Sequence, residues 1–505
     1  MKRDLLLYEG YYNNTILNDC NKYFSSLKKS LDFLIRISNN KKILIICDFI
    51  LSDNYVCSHV KYYLFDLLNK NILHKVILFH SEIGFINHKN IINITHIFYK
   101  NHDIIHFLKL YDCDILIKAL KKSNLIKINS FLGKPINKTN LIIDLNSIIK
   151  NIDLYRSKIN ASNVKIMIMA KSYFYGFGNI IGNILQYYNK KISYLGVACV
   201  EEGIQLRKKG INIPIVVMNS DLDSLDIIIY YKLEPVLYDF NTLNILIHYL
   251  YKNKIYNFPI HIKFNTGMNR LGFEYNDITK LLYILSKYKV FFDIKSVFSH
   301  LSSSKITKLK DFCHKQIDLF KHIISVFNKK IKNNKILFHI ANTAGIVNYP
   351  YASFDMIRIG IGIYGIDLTY SLSNINFASK LNTSIIQIKN VKKNEYIGYN
   401  CNGIVDKNSK IATVNIGYGD GLFTIYGKKN GFFEIKNNKV NIIGNICMDM
   451  TMLNVTGLNC KKNDTVTIFN SFNSLKRISD ISNISIYELI SNISFRVSRK
   501  YIIKI

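Results

Sequence analysis

Between residues 164 and 365, eight apolar runs of strand length alternate with segments in which apolar residues have helical spacing. Short apolar runs are typical of buried strands, and their alternation with helices favours a parallel sheet. Eight such units over roughly 220 residues are the content of a TIM barrel. We therefore predict an α/β fold built on a (β/α)8 TIM barrel, with strands at 164–170, 194–198, 213–219, 235–238, 260–265, 294–300, 336–343 and 356–365.

The pattern is different before and after this region. Apolar runs at 42–47, 75–80 and 114–117, with amphipathic segments such as 60–68 between them, predict a small parallel α/β domain. After about residue 371, short Ile- and Val-rich runs bounded by Gly, Asn and Lys predict a mostly β domain, with strands at 384–391, 411–416, 431–435 and 440–446, a short helix near 485–493 and a last strand at the terminus. The predicted domains are 1–135, 136–370 and 371–505, the first boundary lying in the Gly, Pro and Asn cluster at 133–140.

The charge of the chain is strongly positive. Lys and Arg number 67 against 35 Asp and Glu, a formal net charge of +32 that can indicate nucleic-acid binding. The lysines are scattered along the whole length, however, and Asn, Ile, Tyr and Phe are abundant while Trp is absent. This composition is typical of an A- and T-rich genome, so we expect no nucleic-acid partner.

The nine cysteines form no CxxC pair and show no spacing with His that would bind a metal. We expect them to be reduced, and we expect no metal site. The opening MKRDLLLYEG has too short an apolar run for a signal peptide, and no apolar stretch is long enough to span a bilayer. The expectation is a cytoplasmic protein without a membrane partner.

Candidate chemistry begins with Lys171, which follows the first predicted barrel strand. Burial disfavours the charged amine, so the pKa of this lysine should fall and its nucleophilicity near neutral pH should rise. Each candidate residue has an ordinary interpretation when it is considered alone: a surface lysine, an arginine in a surface ion pair, or a hydrogen-bonded core histidine. We interpret His339 as structural. Their shared position at the carboxyl ends of strands, where TIM barrels carry their chemistry, favours a site containing Lys171, Lys263, Arg270, His300, Asn342, Thr343 and Arg358.

Seven motifs stand in the order in which they occur in one enzyme family: AKSYFYGFG (170–178), NTGMNRLGF (265–273), SHLSS (299–303), HIANTAG (339–345), RIGIGIYG (358–365), NIGYGDG (415–421) and ICMDM (446–450). With the strand and helix at 140–159, they make residues 140–505 resemble the alanine racemases, which are fold-type III pyridoxal-phosphate enzymes. The resemblance implies a barrel that binds pyridoxal 5'-phosphate and a β domain that carries a second catalytic base.

The resemblance also implies a role for each residue. Lys171 would be the Schiff-base lysine and one catalytic base, and Tyr418 would be the base on the opposite face of the substrate. Arg270 would bond the cofactor and the substrate carboxylate, and Met448 would contact substrate. Arg358 would donate to the pyridine nitrogen and, with His300, supply positive charge that stabilises the Tyr418 phenolate. Lys263 matches a lysine that is carbamylated in some members, and the remaining cofactor contacts would be Tyr175, Asn342, Thr343, Gly360 and Ile361.

The implied activity is interconversion of L-alanine and D-alanine for peptidoglycan synthesis, in a head-to-tail homodimer whose sites are shared between subunits. An arginine at the pyridine nitrogen favours racemisation, because decarboxylases of this fold class typically have a glutamate there. A broader amino-acid racemase or a decarboxylase remains the first alternative. A non-catalytic pyridoxal-phosphate-binding protein is a second, although the single-barrel proteins of that kind lack a β domain.

Residues 1–135 are weakly similar to the carboxyl-terminal domain of MurF-type ligases, through LLLYEGYYNN (5–14), SLDFL (30–34) and DILIKALKKSNLIKI (114–128). No G-x-x-x-x-G-K-[ST] phosphate loop occurs in the chain, and Pro135 follows the Gly133-Lys134 pair. Ala119 also stands where that family usually has glycine. We therefore interpret this region as a remnant without ligase activity, from a fusion of the two enzymes.

Several positions depart from the racemase pattern. Phe495 replaces a phosphate-binding tyrosine, Asn265 replaces an aspartate, and Lys305 falls where an acidic entrance residue is common. Phe174 and Phe177 make the lysine loop bulkier than usual. Since no proposed base is removed, we expect impaired but real activity.

Overall fold

The computed structural model describes residues 139–159, 163–187, 192–220, 222–331 and 335–504, and before residue 120 the segments 4–9, 15–19, 24–37, 41–47, 63–64, 66–68, 70, 72–73, 75–79, 96–98 and 113–119. The strands are β1 (Asp4–Glu9), β2 (Thr15–Asp19), β3 (Lys41–Cys47), β4 (Lys75–Phe79), β5 (His96–Phe98), β6 (Cys113–Ala119), β7 (Asn140–Asp144), β8 (Lys165–Met169), β9 (Tyr194–Val197), β10 (Ile215–Val217), β11 (Leu233–Leu237), β12 (Phe258–Lys263), β13 (Phe292–Phe298), β14 (Leu337–His339), β15 (Met356–Ile359), β16 (Ser379–Val391), β17 (Tyr396–Ile397), β18 (Gly403–Ile404), β19 (Ser409–Val414), β20 (Phe432–Ile435), β21 (Asn438–Asn441), β22 (Thr451–Asn454), β23 (Thr465–Phe469) and β24 (Ser498–Lys504).

The helices are α1 (Phe24–Ile37), α2 (Leu145–Ser157), α3 (Ile180–Tyr187), α4 (Val200–Lys208), α5 (Leu225–Tyr230), α6 (Phe240–Lys252), α7 (Ile278–Lys287), α8 (Lys310–Lys330), α9 (Thr343–Asn348), α10 (Thr424–Lys428), α11 (Phe472–Ser482) and α12 (Ile486–Ser491). By contacts the chain divides into two compact units. The first unit comprises Met1–Asn146, Gly176–Asn183 and Ala378–Ile505, and the second comprises Ser147–Tyr175 and Ile184–Phe377.

The second unit, which we call the barrel unit, contains the predicted eight parallel strands. Their order is β14-β13-β12-β11-β10-β9-β8-β15, and each pairs with its neighbours in parallel register. Between β14 and β15 no ladder forms among the described residues, but the backbone N–H of Asp355 donates to Phe338 O (3.0 Å) and that of Arg358 to Ala341 O (3.1 Å). The barrel is therefore nearly closed, and the TIM-barrel prediction is confirmed.

The helices of the barrel unit follow from apolar residues at helical spacing. In α6, the residues Leu243, Leu246, Ile247 and Leu250 are buried, which is the i, i+3, i+4, i+7 pattern of one helix face. The helix begins where the Asp239 side chain accepts the backbone N–H of Thr242 at 2.7 Å, a favourable N-cap. Such helices bury one face against the strands and leave the carboxyl ends of the strands open for chemistry.

The first unit, which we call the sheet unit, is built on one continuous sheet. Among the described residues its strand order is β21-β20-β23-β16-β7-β24-β1-β2-β6-β3-β4-β5, with β19 paired to β16 and β22 paired to β19. The mostly β domain predicted after residue 371 is thus confirmed. β7, which the sequence analysis assigned to the barrel range, lies in this sheet between β16 and β24.

The amino-terminal strands belong to the same sheet. β1 pairs antiparallel with β24, so that Asp4 lies opposite Lys504 and Tyr8 opposite Lys500. β2, β6, β3, β4 and β5 follow in parallel pairing, the alternation predicted from the apolar runs. Leu7 and Leu17 are fully buried. Of the predicted amphipathic segment 60–68, only 63–64 and 66–68 lie within the described residues.

None of the helices in the described part of the chain is both long enough and apolar enough to cross a bilayer. In the same part of the chain, Cys199, Cys313, Cys401, Cys447 and Cys460 are free thiols.

Candidate active site

Lys171 follows β8 directly and begins a left-handed turn. Ser172, Tyr173 and Phe174 have φ values of 51°, 54° and 54°, and Tyr175 has a φ of 57°. This conformation costs non-glycine residues about 1–2 kcal/mol each, so other interactions must hold it. The Phe174 ring is fully buried and its backbone N–H donates to Ala170 O at 3.2 Å. The bulk of Phe174 is therefore anchored in the interior rather than placed beside the amine.

The Lys171 amine is prepared for nucleophilic chemistry. Its side chain reaches solvent, and Nζ lies 5.8 Å from the centre of the Tyr175 ring. Desolvation lowers the pKa of Lys171, the positive charge of Arg270 lowers it further, and the carboxylate of Glu202 opposes both effects. A lowered pKa increases the fraction of neutral amine near neutral pH, which is the reactive form.

Arg270 is carried on a loop that Asn265 organises. The Asn265 Oδ1 accepts the backbone N–H groups of Gly267 (3.1 Å) and Asn269 (3.0 Å). Its Nδ2 donates to Asn269 Oδ1 and to Glu274 Oε1, both at 2.8 Å. The last two bonds need an N–H donor, which an aspartate does not have. The replacement of aspartate by Asn265 therefore gives this loop a fully bonded amide.

Lys263 is the last residue of β12 and is buried. Burial, followed by the charges of Arg270 and Arg358, lowers its pKa to about 8. Near that pH a large fraction of the amine is neutral, which is the form that reacts with carbon dioxide. A carbamate at this position would place negative charge among neighbouring cations.

A polar cradle lies where β15 ends. A Cβ added to Gly360 would lie 2.4 Å from the hydroxyl of Tyr175 and 3.7 Å from Thr343 Oγ1, so only glycine allows this close approach. The Gly360 N–H donates to Thr343 Oγ1 at 2.9 Å, and a short 3-10 helix begins at Ile361. Two hydroxyls at one point, beside the start of a short helix, are polar groups that suit the oxygens of a phosphate.

Arg358 lies within β15 rather than after its end, and it is almost completely buried. One terminal nitrogen donates to His339 Nδ1, and the other donates to Ser299 O (2.7 Å), Ile340 O (3.0 Å) and His300 Nδ1 (3.2 Å). Burial and the charge of Arg270 lower the pKa of Arg358 to about 9, which leaves it protonated at pH 7. Its Nε–H bonds to no described residue, so this donor is available to a ring nitrogen.

A directed chain of buried hydrogen bonds begins at Arg358. Arginine can only donate, so His339 Nδ1 is an acceptor and its Nε2 carries the proton that reaches Ser296 Oγ at 3.1 Å. Ser296 then donates to His261 Nδ1 (2.6 Å), which leaves His261 Nε2–H to donate to Glu234 Oε2 (2.8 Å). The buried cation is thereby linked to a carboxylate across five neighbouring barrel strands, and His339, which the sequence analysis interpreted as structural, bonds directly to Arg358.

His300 is held in the neutral state. Burial lowers its pKa well below the usual range, and the charges of Arg358, Arg270, Lys263 and Lys171 lower it further. Its Nδ1 lies 3.2 Å from a terminal nitrogen of Arg358 and its Nε2 lies 3.4 Å from Asn342 Nδ2, so both ring nitrogens face donor groups. The lowered pKa of His300 goes against the expectation that this residue supplies positive charge, and Arg358 is the buried group that keeps its charge.

Replacing Ser296 by alanine should interrupt the hydrogen-bond chain at its centre. The change would leave His339 Nε2–H and His261 Nδ1 buried without a partner, so we expect the free energy of unfolding to fall by about 2–5 kcal/mol. Lys295→Ala is the matched control, because its ion pair with Asp293 is partly exposed and should contribute at most about 1 kcal/mol. Urea unfolding of both variants measures the difference, and equal midpoints would contradict the predicted chain.

Tyr418 and Met448 lie in the sheet unit. Tyr418 begins a 3-10 turn (Tyr418–Asp420) whose backbone donates to Cys447 O (3.0 Å, from Tyr418) and Met448 O (2.9 Å, from Gly419). A Cβ on Gly417 would lie 2.3 Å from both of these carbonyl oxygens, so glycine is required before the tyrosine. The Tyr418 side chain is 45% exposed and that of Met448 is 52% exposed. The turn thus presents its phenol to the surroundings.

Arg496 ties the Tyr418 turn to the neighbouring loop. Its Nε lies 3.3 Å from Asp420 Oδ1, and one terminal nitrogen lies 2.6 Å from Asp449 Oδ1. The other oxygen of Asp420 accepts the Gly417 N–H at 2.9 Å. Both carboxylates are therefore used in fixing the backbone around Tyr418. Phe495, beside Arg496, is 62% exposed, and no hydroxyl is available there.

Two family models match this chain in succession. The model for the alanine racemase N-terminal domain matches residues 143–367, and the model for the alanine racemase C-terminal domain matches residues 378–501. The alanine racemase of Fusobacterium nucleatum is 32% identical over 67% of this chain and 93% of its own length. The chain belongs to the alanine racemase family. The alanine racemase of Treponema denticola is 31% identical over 72% of this chain and 98% of its own length.

Solved structures of alanine racemases share the fold. The alanine racemase of Clostridium difficile 630 has a TM-score of 0.66 and 26% identity, covering 73% of this chain and 96% of the other. The alanine racemase of Bartonella henselae, with covalently bound pyridoxal phosphate, has a TM-score of 0.64 and 23% identity, covering 72% of this chain and 99% of the other. Both matches leave about a quarter of this chain uncovered.

The barrel unit holds most of the residues that the family resemblance selected, namely Lys171, Tyr175, Lys263, Arg270, His300, Asn342, Thr343, Arg358, Gly360 and Ile361. Sequence reasoning missed Glu234, His261 and Ser296. Glu234 and His261 are polar residues flanked by apolar ones inside buried strands, a signal that could have been interpreted as inward-facing chemistry, whereas Ser296 follows two other polar residues of its strand, Asp293 and Lys295, and gives no such signal. Among the described residues, no group of three or more His, Cys, Asp or Glu could hold a metal ion.

Proposed function

We propose that this member of the alanine racemase family interconverts L-alanine and D-alanine with pyridoxal 5'-phosphate as cofactor. The single observation that carries the proposal is the buried Arg358, whose terminal nitrogens are occupied by protein acceptors while its Nε–H bonds to no described residue. Three features of the barrel unit thus fit three parts of this cofactor. Arg358 fits the ring nitrogen, the polar cradle at Gly360 fits the phosphate, and the amine of Lys171 fits the aldehyde.

When bound, the cofactor supplies an electron sink for the carbanion formed at the α-carbon of the substrate. Lys171 would link to it covalently and, once released, act as a base on one face of the substrate. Arg358 would donate its Nε–H to the ring nitrogen, and a guanidinium does not readily release a proton there. That arrangement limits the electron sink and favours return of the proton over transamination.

The contacts to the remaining groups follow from their positions. Tyr175, Thr343, Gly360 and Ile361 would bind the phosphate, and Asn342 would hold the neighbouring loop through the bonds of its Oδ1 to Gly345 N (3.0 Å) and Ser304 Oγ (2.7 Å). Arg270 would bind the cofactor oxygen and the substrate carboxylate. Because Phe495 has no hydroxyl where the family resemblance implies a phosphate-binding tyrosine, we propose weaker cofactor binding than in members that have the tyrosine.

We assign the second base to Tyr418 of the partner subunit in a head-to-tail homodimer, with Met448 contacting substrate. The support is the exposed apolar surface around the turn, which comprises Tyr418, Met448, Met450 and Phe495. Large exposed apolar patches are typical of interaction sites, and this one surrounds a catalytic candidate. Racemisation needs a base on each face of the α-carbon, and Lys171 and Tyr418 would supply one each.

The first alternative is another amino-acid reaction on the same scaffold. A broader racemase would share every residue discussed above, and the arginine at the ring-nitrogen position argues against a decarboxylase. The assay is formation of D-alanine from L-alanine by purified protein with added pyridoxal phosphate, with carbon dioxide release measured in parallel. Turnover to D-alanine supports the proposal. Bound cofactor without turnover of alanine or any other amino acid would favour a non-catalytic carrier.

We further propose that residues 1–135 are a MurF-like remnant without ligase activity whose present role is to complete the sheet of the racemase. Its parallel strands and the pairing of β1 with β24 support this role. We place the protein in the cytoplasm, where its thiols would stay reduced and where D-alanine would enter peptidoglycan synthesis.

Removing residues 1–135 should destabilise the sheet unit, because β24 would keep its pairing with β7 but lose β1 and become an edge strand open to aggregation. Leu7→Ala tests the same pairing in the full-length chain, and since Leu7 is fully buried we expect a loss of about 2–4 kcal/mol in the free energy of unfolding. Thermal unfolding and light scattering measure both effects. A truncated chain as stable and as soluble as the full chain would show that this region is dispensable.

A further inference from the structure

Glu202, on the first turn of α4, contacts the chain that carries the cofactor lysine. Its Oε1 accepts the backbone N–H of Ser172 at 2.5 Å, and its Oε2 accepts the backbone N–H of Ala198 at 2.7 Å. Ser172 follows β8 and Ala198 follows β9, so one carboxylate joins the ends of two neighbouring barrel strands. Neither bond involves a side chain of the partner residue, so the contact fixes backbone.

The Ser172 bond is placed where the backbone is most strained. Ser172 is the first of four consecutive non-glycine residues in the left-handed region, and an unsupported turn of this kind would relax. A charged acceptor makes a hydrogen bond stronger than a neutral one. A glutamate at the third position of a helix often bonds backwards to its own cap, and the Ala198 bond is of that local kind. The Ser172 bond is not, since it reaches 30 residues along the chain.

We infer that Glu202 is a positioning residue that clamps the left-handed turn after Lys171 and so fixes the direction of the lysine side chain. This inference rests on the proposed function of Lys171, although the clamp itself is a property of the protein without cofactor. Among the described residues, the Glu202 carboxylate is also the one negative group that raises the pKa of Lys171. Burial and the charge of Arg270 lower that pKa. Glu202 therefore acts on both the position and the protonation of the amine.

Three variants separate these two effects. Glu202→Gln removes the charge and one of the two acceptors. Glu202→Asp keeps the charge but shortens the side chain, so that it cannot span both N–H groups. Glu201→Gln is the matched control, because Glu201 carries the same charge on the same helix turn and is more exposed than Glu202.

The test uses the full-length protein without cofactor. Hydrogen exchange of the peptide containing Ser172 should become about tenfold faster or more in Glu202→Gln, which is the size of effect expected for loss of a hydrogen bond to a charged group. Acylation of Lys171 by acetic anhydride, followed against pH by mass spectrometry, should shift to lower pH in the same variant, because loss of the negative charge lowers the pKa of the amine. Glu202→Asp should accelerate exchange without that pH shift, and Glu201→Gln should change neither.

Unchanged exchange at Ser172 and an unchanged pH profile in Glu202→Gln would overturn the inference. A general loss of fold would accelerate exchange in every peptide, so acceleration confined to the 171–175 and 198 regions distinguishes the clamp from destabilisation. The proposed function of Lys171 is tested separately, by borohydride reduction of the cofactor-loaded wild type followed by peptide mapping. Cofactor attached to a lysine other than Lys171 would contradict that function, independently of the results for the Glu202 variants.

Discussion

Lys171→Ala should abolish racemisation, lowering kcat by more than about ten-thousand-fold, because the proposed roles of this residue are both the covalent link to the cofactor and one of the two bases. The visible absorbance of the lysine-linked cofactor should disappear as well. The fold should be unaffected, since the Lys171 side chain reaches solvent and no bond of the left-handed turn depends on it.

Lys165→Ala is the control for this variant. Lys165 is exposed at the opposite end of the same strand, and its removal should leave both absorbance and turnover unchanged. Absorbance titration with pyridoxal phosphate and a coupled D-alanine assay provide the two measurements. Turnover by Lys171→Ala within tenfold of the wild type would contradict the assignment of the lysine.

Tyr418→Phe should lower kcat for racemisation by about 100- to 10,000-fold, the range for loss of one general acid–base group. In contrast to the lysine variant, it should keep the absorbance of the lysine-linked cofactor, because Tyr418 belongs to the sheet unit and is not a proposed cofactor ligand. Tyr396→Phe is the control, since Tyr396 is exposed in the same unit and has no proposed role. A Tyr418→Phe enzyme with wild-type kcat would remove the second base from the account.

Mixing the two inactive variants tests where Tyr418 acts. If Tyr418 serves the partner's site, a mixed dimer of Lys171→Ala and Tyr418→Phe subunits has one site with both native residues. Random reassociation would then restore about a quarter of wild-type turnover, since half of the dimers are mixed and each has one intact site. No recovery after subunit exchange would contradict a site shared between subunits.

The barrel was predictable because its strands are buried on both sides and therefore appear as uninterrupted apolar runs. The runs beginning at Val164 and Ile260 each identified a strand, with ends shifted by a few residues. Residues 140–144 were assigned to the barrel range, but they form β7 and pair with β16 in the other sheet. β7 is also an apolar run, and nothing in its local sequence shows which sheet it joins. Pairing between residues 358 positions apart, as between Asn140 of β7 and Ser498 of β24, has no local signal.

Although their roles stay predictions, the placing of Lys171, Arg270 and Arg358 in one barrel was predictable from the motifs that contain them. The support behind those residues was not. Glu202 lies in an ordinary amphipathic helix, and its contact with Ser172 depends on the left-handed turn, a conformation that the sequence SYFY does not indicate. The lowered pKa of His300 likewise depends first on burial and then on four neighbouring cations, and both arise only in the folded barrel.

The directed hydrogen-bond chain from Arg358 to Glu234 also forms only in the folded barrel and could not be predicted from the sequence. His261, Ser296 and His339 are far apart in the sequence and lie on adjacent parallel strands, which brings them into line. Each alone has an ordinary interpretation as a bonded core residue. Their order as donors and acceptors becomes fixed only because arginine at one end can donate but never accept.

The most direct test of the two-base account is racemisation of alanine in deuterium oxide, followed by the chirality and the α-deuterium content of substrate and product. In the wild type we expect each inversion to introduce deuterium at the α-carbon. In Tyr418→Phe we expect one enantiomer alone to exchange its α-proton without inverting, because Lys171 still reaches one face, and in Lys171→Ala we expect no exchange. Exchange of both enantiomers at equal rates in Tyr418→Phe, or inversion at the wild-type rate, would contradict the assignment of one base to each face.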